Sequence, residues 1–392
     1  MRVPDVSVVV GVYQGMPFVV KCLESVAAQT LGADRIELIV VNDGSTDGSA
    51  EFLEKFAAES AVPTTVIHQE NSGGPSKPRN VGLAAAAGRW VFFLDADDYL
   101  GPEALERMVA MGDENGTDVV VGKIVGVGRG APKSMWTKNI AKTDIFATPT
   151  LKYTLSAQKL FRRELAVRLG LAFPENLTTG EDAAFTLPAY LRGSGISLVA
   201  DYDCYFLVRR GDGQHATQRG GHEPRFESAR VLMELITKLQ PPGLKRDQLM
   251  MRPFQVTLLA QFKGHFLTQD EETRRAKQQL AKPLLDTYWT QGVSRLMPVD
   301  QRLITWGLSR DRLDLVDDVL NFRKAKKKPK VVKEKGGTFL AYPHFRDDSG
   351  VPDDLYRALK EYPTKIPAQG LKGVAHKAVR RALSEVRSRR AA

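Results

Sequence analysis

Residues 6–12 read Val6-Ser7-Val8-Val9-Val10-Gly11-Val12. A strand with one face in water alternates apolar and polar residues. A run without that alternation is covered on both faces, as in parallel sheets whose crossover helices pack on either side. The segments that follow obey the same logic. Residues 17–30 place Val19, Val20, Leu23, Val26 and Ala27 at helical spacing, and 36–41 form a second buried strand ending in Asn42-Asp43-Gly44-Ser45. A short helix over 50–60, a strand over 64–68 and a helix over 77–87 lead to a buried strand over 90–94, which ends in Asp95-Ala96-Asp97-Asp98. A helix over 102–115, with Pro102 at its start, and a strand over 118–127 complete the alternation. This order specifies an α/β fold with a mostly parallel sheet and right-handed crossovers, and ligands on such sheets sit at the carboxyl ends of the strands.

The second half changes character. Residues 150–210 are mixed, and 225–320 read as helices over 226–239, 249–268, 274–289 and 299–320. The formal charge of the 392-residue chain is +10, and it is concentrated. Residues 323–335 carry eight cations against Glu334, residues 372–390 carry seven against Glu385, and the remainder is near −3. The expected organisation is therefore a sheet domain over 1–220, a helical region over 221–322, a basic linker over 323–337 and a short basic C-terminal segment over 338–392. A tail of this charge suits an anionic polymer or an anionic membrane surface. Val374, Val379, Leu383 and Val386 among its cations would let 372–390 lie on a membrane as an amphipathic helix. Nucleic acid is not expected, because the tail lacks interleaved aromatics.

Other classes fall away. Cys22 and Cys204 are too few for a disulfide framework or a cysteine zinc site. No apolar run spans a bilayer, and the N-terminus runs straight into a strand, so the expectation is a cytoplasmic protein. The first strand is not followed by the Gly-x-Gly-x-x-Gly of dinucleotide sites. The strand-end acids are the first chemical candidates. Asp95, Asp97 and Asp98 crowd together, and hard divalent cations bridge such carboxylates to phosphate oxygens. Read alone, they fit a solvated turn equally well. Asp43 reads first as turn chemistry, and Glu181-Asp182 after Gly180 reads first as a helix cap. Lys77 and Arg79 stand near a helix N-terminus, where anions bind. Trp136 is a sugar-stacking candidate, although it reads first as a core tryptophan.

In combination these motifs resemble the GT-A glycosyltransferases of family 2. The resemblance rests on Val6–Tyr13, Val41-Asn42-Asp43-Gly44-Ser45-Thr46-Asp47, Pro78-Arg79-Asn80-Val81-Gly82 and Phe93-Leu94-Asp95-Ala96-Asp97-Asp98. It continues through Lys159-Leu160-Phe161-Arg162-Arg163 and Gly180-Glu181-Asp182 to Arg209-Arg210 and His215, in the family's order over roughly residues 5–215. Gly11 replaces the usual proline. The loop Gly73-Gly74-Pro75-Ser76-Lys77-Pro78-Arg79 is more similar to bacterial enzymes that glycosylate wall teichoic acid.

The resemblance implies a GT-A, Rossmann-like sheet followed by the helical region and basic tail. It implies an inverting, metal-dependent transfer of a sugar such as N-acetylglucosamine from a UDP-sugar. Gly11, Val12 and Tyr13 would line the nucleoside site, and Asp43 would bind uracil. Asn71 and Arg79 would contact the nucleotide, and Asp95, with Ala96 beside it, the ribose. Asp97 would hold Mn²⁺ or Mg²⁺, with His215 as a second ligand, while Arg209 or Arg210 closes over the diphosphate. Asp182, next to Glu181, would be the general base. The acceptor would be an anionic polymer such as a polyol-phosphate teichoic acid. A lipid-linked or capsular glycan, or a catalytically dead polyanion-binding scaffold, stands as the alternative. Peripheral membrane contact and self-association complete the expected partners.

Overall fold

The computed structural model describes residues 3–131, 135–210 and 221–359. Its main sheet runs through β1 (Val6–Val12), β2 (Ile36–Asp43), β3 (Thr64–Gln69), β4 (Trp90–Asp95), β5 (Tyr99–Leu100), β6 (Val119–Val127), β7 (Ile140–Thr143), β8 (Leu160–Arg162) and β9 (Ile196–Val208). The order is β3-β2-β1-β4-β8-β6-β9-β5, with β7 also paired antiparallel to β9. The pairs β2/β3, β1/β2, β1/β4 and β6/β9 are parallel, whereas β8 is antiparallel to both β4 and β6. The expected parallel arrangement thus holds through the first half and becomes mixed where β8 enters.

Both faces of the first strands are covered. Val6, Val8, Val10 and Val12 enter one apolar core with Leu38, Val40, Phe92 and Leu94, while Val9 enters the other with Ile39, Val41, Val91 and Phe93. In the second core Phe93 meets Phe161, Phe173 and Phe185 edge-on, and Phe173 stacks on Phe185 at 4.4 Å. Gly82 lets a helix sit directly on the sheet: a Cβ there would lie 2.3 Å from Val9.

Strand β1 lies between β2 and β4, so successive crossovers leave it in opposite directions. A crevice opens at that switch point. Register places Gly11 level with Val41 on one side and Asp95 on the other.

The helical region comprises Glu223–Leu239, Leu244–Arg252, Glu271–Tyr288, Gln291–Leu296, Val299–Ser309 and Leu313–Lys324. The helix expected over 249–268 is broken. Pro253 cannot supply the next backbone donor, and the chain continues as a π-helical turn, Pro253–Leu258, followed by tighter turns. The stretch expected over 299–320 divides at Asp311, whose φ is 57°. The stretch expected as a basic linker, 323–337, holds the end of a helix and the first strand of a hairpin, β10 (Lys330–Glu334) with β11 (Gly337–Ala341). Buried Phe339 and Tyr356 anchor this hairpin to the helical core. Segment 372–390 lies outside the described residues. Among the described residues no helix is long and apolar enough to cross a membrane.

Candidate functional site

The crevice widens into a cavity of about 1380 Å³ between the strand ends and the helical region. Gly11, Val12, Tyr13, Asp43, Asn71, Arg79, Asp95, Ala96, Asp97, Glu181, Asp182 and Arg210 all line it. Arg209 is exposed and outside the lining, and His215 lies outside the described residues.

The β2 end is built from local turn chemistry. Asn42 accepts the Ser45 amide, and Asn71 donates to the Asp43 carbonyl at 3.1 Å. The buried Asp43 carboxylate accepts the Ser72 amide at 3.1 Å, the Ser72 hydroxyl at 2.9 Å and the Gln69 side chain. Gly44 has φ +74°, and a Cβ there would lie 2.8 Å from the Asn71 nitrogen, so the close approach of the two loops requires glycine. Asp43 and Asn71 therefore brace one another at the cavity wall. Tyr13 stands half-exposed at the rim.

At the β4 end the carboxylates divide into different environments. Asp98 is buried and accepts the Tyr205 hydroxyl at 2.5 Å and the Val208 amide at 2.7 Å. Burial, then the charges of Asp95 and Asp97, push its pKa up to about 8. It ties β4 to β9. Asp95 keeps one oxygen on Arg79 at 2.8 Å and the other on Gln158 at 2.6 Å. Asp97 lines the cavity.

Arg79 links this end to a second pair of acids. Its Nη2 donates to Asp95, and its Nη1 donates to Glu181 at 3.0 Å and Asp182 at 2.8 Å. The sequence places Arg79 on a nucleotide; in the structure three carboxylates engage it instead, and its face lies over the Phe173 ring. Glu181 and Asp182 open the helix Glu181–Arg192, where the positive dipole end favours them. Gly180, at φ +81°, makes the sharp entry, and a Cβ there would strike Ser228 of the helical region. Burial, then the neighbouring Asp182, lifts Glu181 to about 7, against the pull of Arg79. Asp182 is raised as well, chiefly by burial, with Arg79 working against it.

Arg210 donates to the Gln14 carbonyl at 3.2 Å and lies over Phe18. Trp136 lines the cavity and also packs against the core. Gln158, Arg252 and Lys263 also line the cavity and were signalled by no local motif, whereas Lys159 belongs to the Lys159–Arg163 motif and Arg323 to the basic stretch.

The donor set suits a hard divalent cation: crowded carboxylate oxygens without sulfur, two of which raise the proton affinity of a third. Among the described residues no group of three or more acids, histidines or cysteines is arranged to hold a metal ion. A cation here would need oxygens from a ligand to complete its shell.

Residues 7–170 match the family model of glycosyl transferase family 2, and residues 222–320 match that of the glycosyl transferase TarS linker domain. The poly(ribitol-phosphate) beta-glucosyltransferase of Bacillus spizizenii is 38% identical over 211 residues, 54% of this chain and 33% of the relative. The poly(ribitol-phosphate) beta-N-acetylglucosaminyltransferase TarS of Staphylococcus aureus is 35% identical over 246 residues, 62% of this chain and 42% of the relative. The chain thus spans between a third and about two-fifths of these relatives' length. The crystal structure of S. aureus TarS 1-349 in complex with UDP-GlcNAc superposes with a TM-score of 0.77 at 27% identity, covering 87% of this chain and 97% of that one.

Proposed function

We propose that this chain, which carries a glycosyl transferase family 2 domain followed by a TarS linker domain, moves a sugar from a UDP-sugar to a hydroxyl of an anionic polyol-phosphate polymer, with inversion. The observation that carries this reading is Asp182 on the cavity wall, joined through Arg79 to the β4 strand end where a donor would lie. Burial raises its proton affinity, which suits a group that must take a proton from an alcohol.

The nucleoside would rest against Gly11, Val12 and Tyr13 and the wall braced by Asp43 and Asn71, with the ribose at Asp95 and Ala96. Arg210 would face the diphosphate, with Arg209 and His215 as further proposed contacts. Asp97 would hold a Mn²⁺ or Mg²⁺ together with diphosphate oxygens, and His215 is its proposed second protein ligand. Such an ion stabilises the charge that develops on departing UDP. Asp182 accepts the acceptor's hydroxyl proton, and the oxygen attacks the anomeric carbon opposite the leaving UDP. Glu181 steadies the base through the shared Arg79.

The sugar proposed is N-acetylglucosamine, supported by the UDP-GlcNAc bound to the S. aureus relative. An anionic acceptor is supported by the Arg252 Nε and Nη1, which are buried without a hydrogen-bond partner among the described residues, and by Lys263 and Arg323 on the same wall. The proposed division of labour gives donor chemistry to residues up to 220 and acceptor contact to the helical region and the basic segments beyond it.

The test is a UDP-release screen over donors and acceptors with Mn²⁺, Mg²⁺ or EDTA. Release should need a divalent ion and fail in Asp97→Ala. Full activity in EDTA would remove the metal from the scheme, and a silent wild type would favour a non-catalytic scaffold.

A further inference from the structure

Lys159 is fully buried just before β8, where the next two residues, Leu160 and Phe161, are core. A methionine or leucine would fill this place without the several kcal/mol needed to bury an ammonium. The ammonium end is nonetheless well seated. Its Nζ donates to the Ser156 carbonyl at 2.5 Å and to the Ser156 hydroxyl at 3.1 Å. Thr186, on the helix that begins with Glu181 and Asp182, donates to the same carbonyl at 3.2 Å. The turn so fixed reaches both catalytic-side acids. Gln158 donates to Asp95, and the Ala157 amide faces the Asp182 carboxylate and favours its charged form.

We propose, on the reading of Asp182 as the base, that Lys159 is a positioning residue: it seats segment 156–159 so that Asp95 and Asp182 are held in register, and its charge sets the proton affinity of Asp182. Five charged groups face Asp182, each from a different direction. They are Arg79 from the helix Ser76–Ala85, Asp95 from β4, Glu181 from its own helix, Lys159 ahead of β8 and Arg252 from the helix Leu244–Arg252. Burial raises the Asp182 pKa, Arg79 lowers it, Asp95 raises it and Lys159 lowers it. Burial also draws the Lys159 ammonium down to about 7, so the cation persists below that pH. Arg79 alone would leave Asp182 shared with two competing acids; Lys159 adds a cation that has no carboxylate within ion-pair distance among the described residues.

The experiment is the pH profile of kcat/KM for full-length wild type, Lys159→Gln and Lys159→Arg, with UDP affinity measured by calorimetry. Glutamine keeps a donor for Ser156 but removes the charge. It should move the acid limb up by about one pH unit, the size of one partly screened charge interaction. Arginine should restore the wild-type limb, and UDP should bind all three equally. A glutamine variant whose rate falls equally at every pH, with the limb in place, overturns the proposal and leaves Lys159 merely structural. Should Lys159→Gln not fold, Ser156→Ala removes one acceptor from the seat and keeps the charge. It should move the limb in the same direction by less, and an unmoved limb overturns the proposal. A wild type that releases no UDP from any donor would instead overturn the assignment of Asp182 on which the proposal rests.

Discussion

Of the arginines that line the cavity, Arg79 and Arg252 come one from each half of the chain. Arg79, from the sheet half, is surrounded by Asp95, Glu181 and Asp182, and burial is more than offset, so its pKa lies above the ordinary value. Arg252, from the helical half, is drawn down to about 10 by burial, which the fields of Asp182 and Tyr153 only partly oppose. Its Nε and Nη1 have no partner among the described residues. A buried charge with its counter-charges holds a structure together; one without them waits for an anion. The sheet side of the cavity is therefore electrostatically complete in the free protein, and the opposite side is not.

The largest effect should come from breaking the complete side. Arg79→Met leaves three acids crowded with no cation between them. It should cost about 3–5 kcal/mol of stability in denaturant unfolding and abolish transfer. Unchanged stability would mean that the acids simply take up protons and that Arg79 is not the tie.

Asp182→Asn removes the proposed base and keeps its shape. Transfer should fall by about 10²–10⁴-fold while UDP affinity holds. Lost UDP binding in calorimetry would move Asp182 to the donor site.

Arg252→Met sharpens the contrast, because its sign on stability should be opposite to that of Arg79→Met. Replacing an incompletely paired buried charge by an apolar group should leave stability unchanged or raise it by ~1 kcal/mol. The KM for an anionic polymer should rise about tenfold, the worth of one hydrogen bond to a charged group. A loss of several kcal/mol would show that Arg252 is as fully paired as Arg79.

The smallest effect belongs to truncation after residue 359, which removes the last basic stretch and spares the hairpin anchors Phe339 and Tyr356. Binding to anionic polymer or vesicles should weaken at low salt and barely change near 1 M, where the Debye length is about 3 Å. Equal binding by both chains at low salt would confine anion contact to residues before 360.

The helical region explains where sequence reading fails. Its helices were legible as apolar periodicity, but the break after Arg252 was not. Pro253 follows a helix that could have continued with a kink, and only packing selects the π-helical turn. The basic stretch 323–337 reads as a linker because lysines dominate it. Val332, Phe339 and Leu340, which seat it as a hairpin on the core, gain meaning only when that core lies beneath them.

What the chain determines locally is the sheet and the acids at its strand ends. A continuous apolar run must be covered on both faces, and a short polar run after it must lie at the strand's carboxyl end, where the β1 switch point opens a crevice. Tertiary structure alone decides which charges meet there. Arg79 reaches Glu181 and Asp182 across about a hundred residues, Gln158 reaches Asp95 across 63, and Arg252 arrives from a separate helical region. An ion pair depends on distance and on the water excluded around it. Neither is a property of sequence spacing, so Arg79 reads as a ligand contact in the sequence and becomes the tie between three acids in the fold.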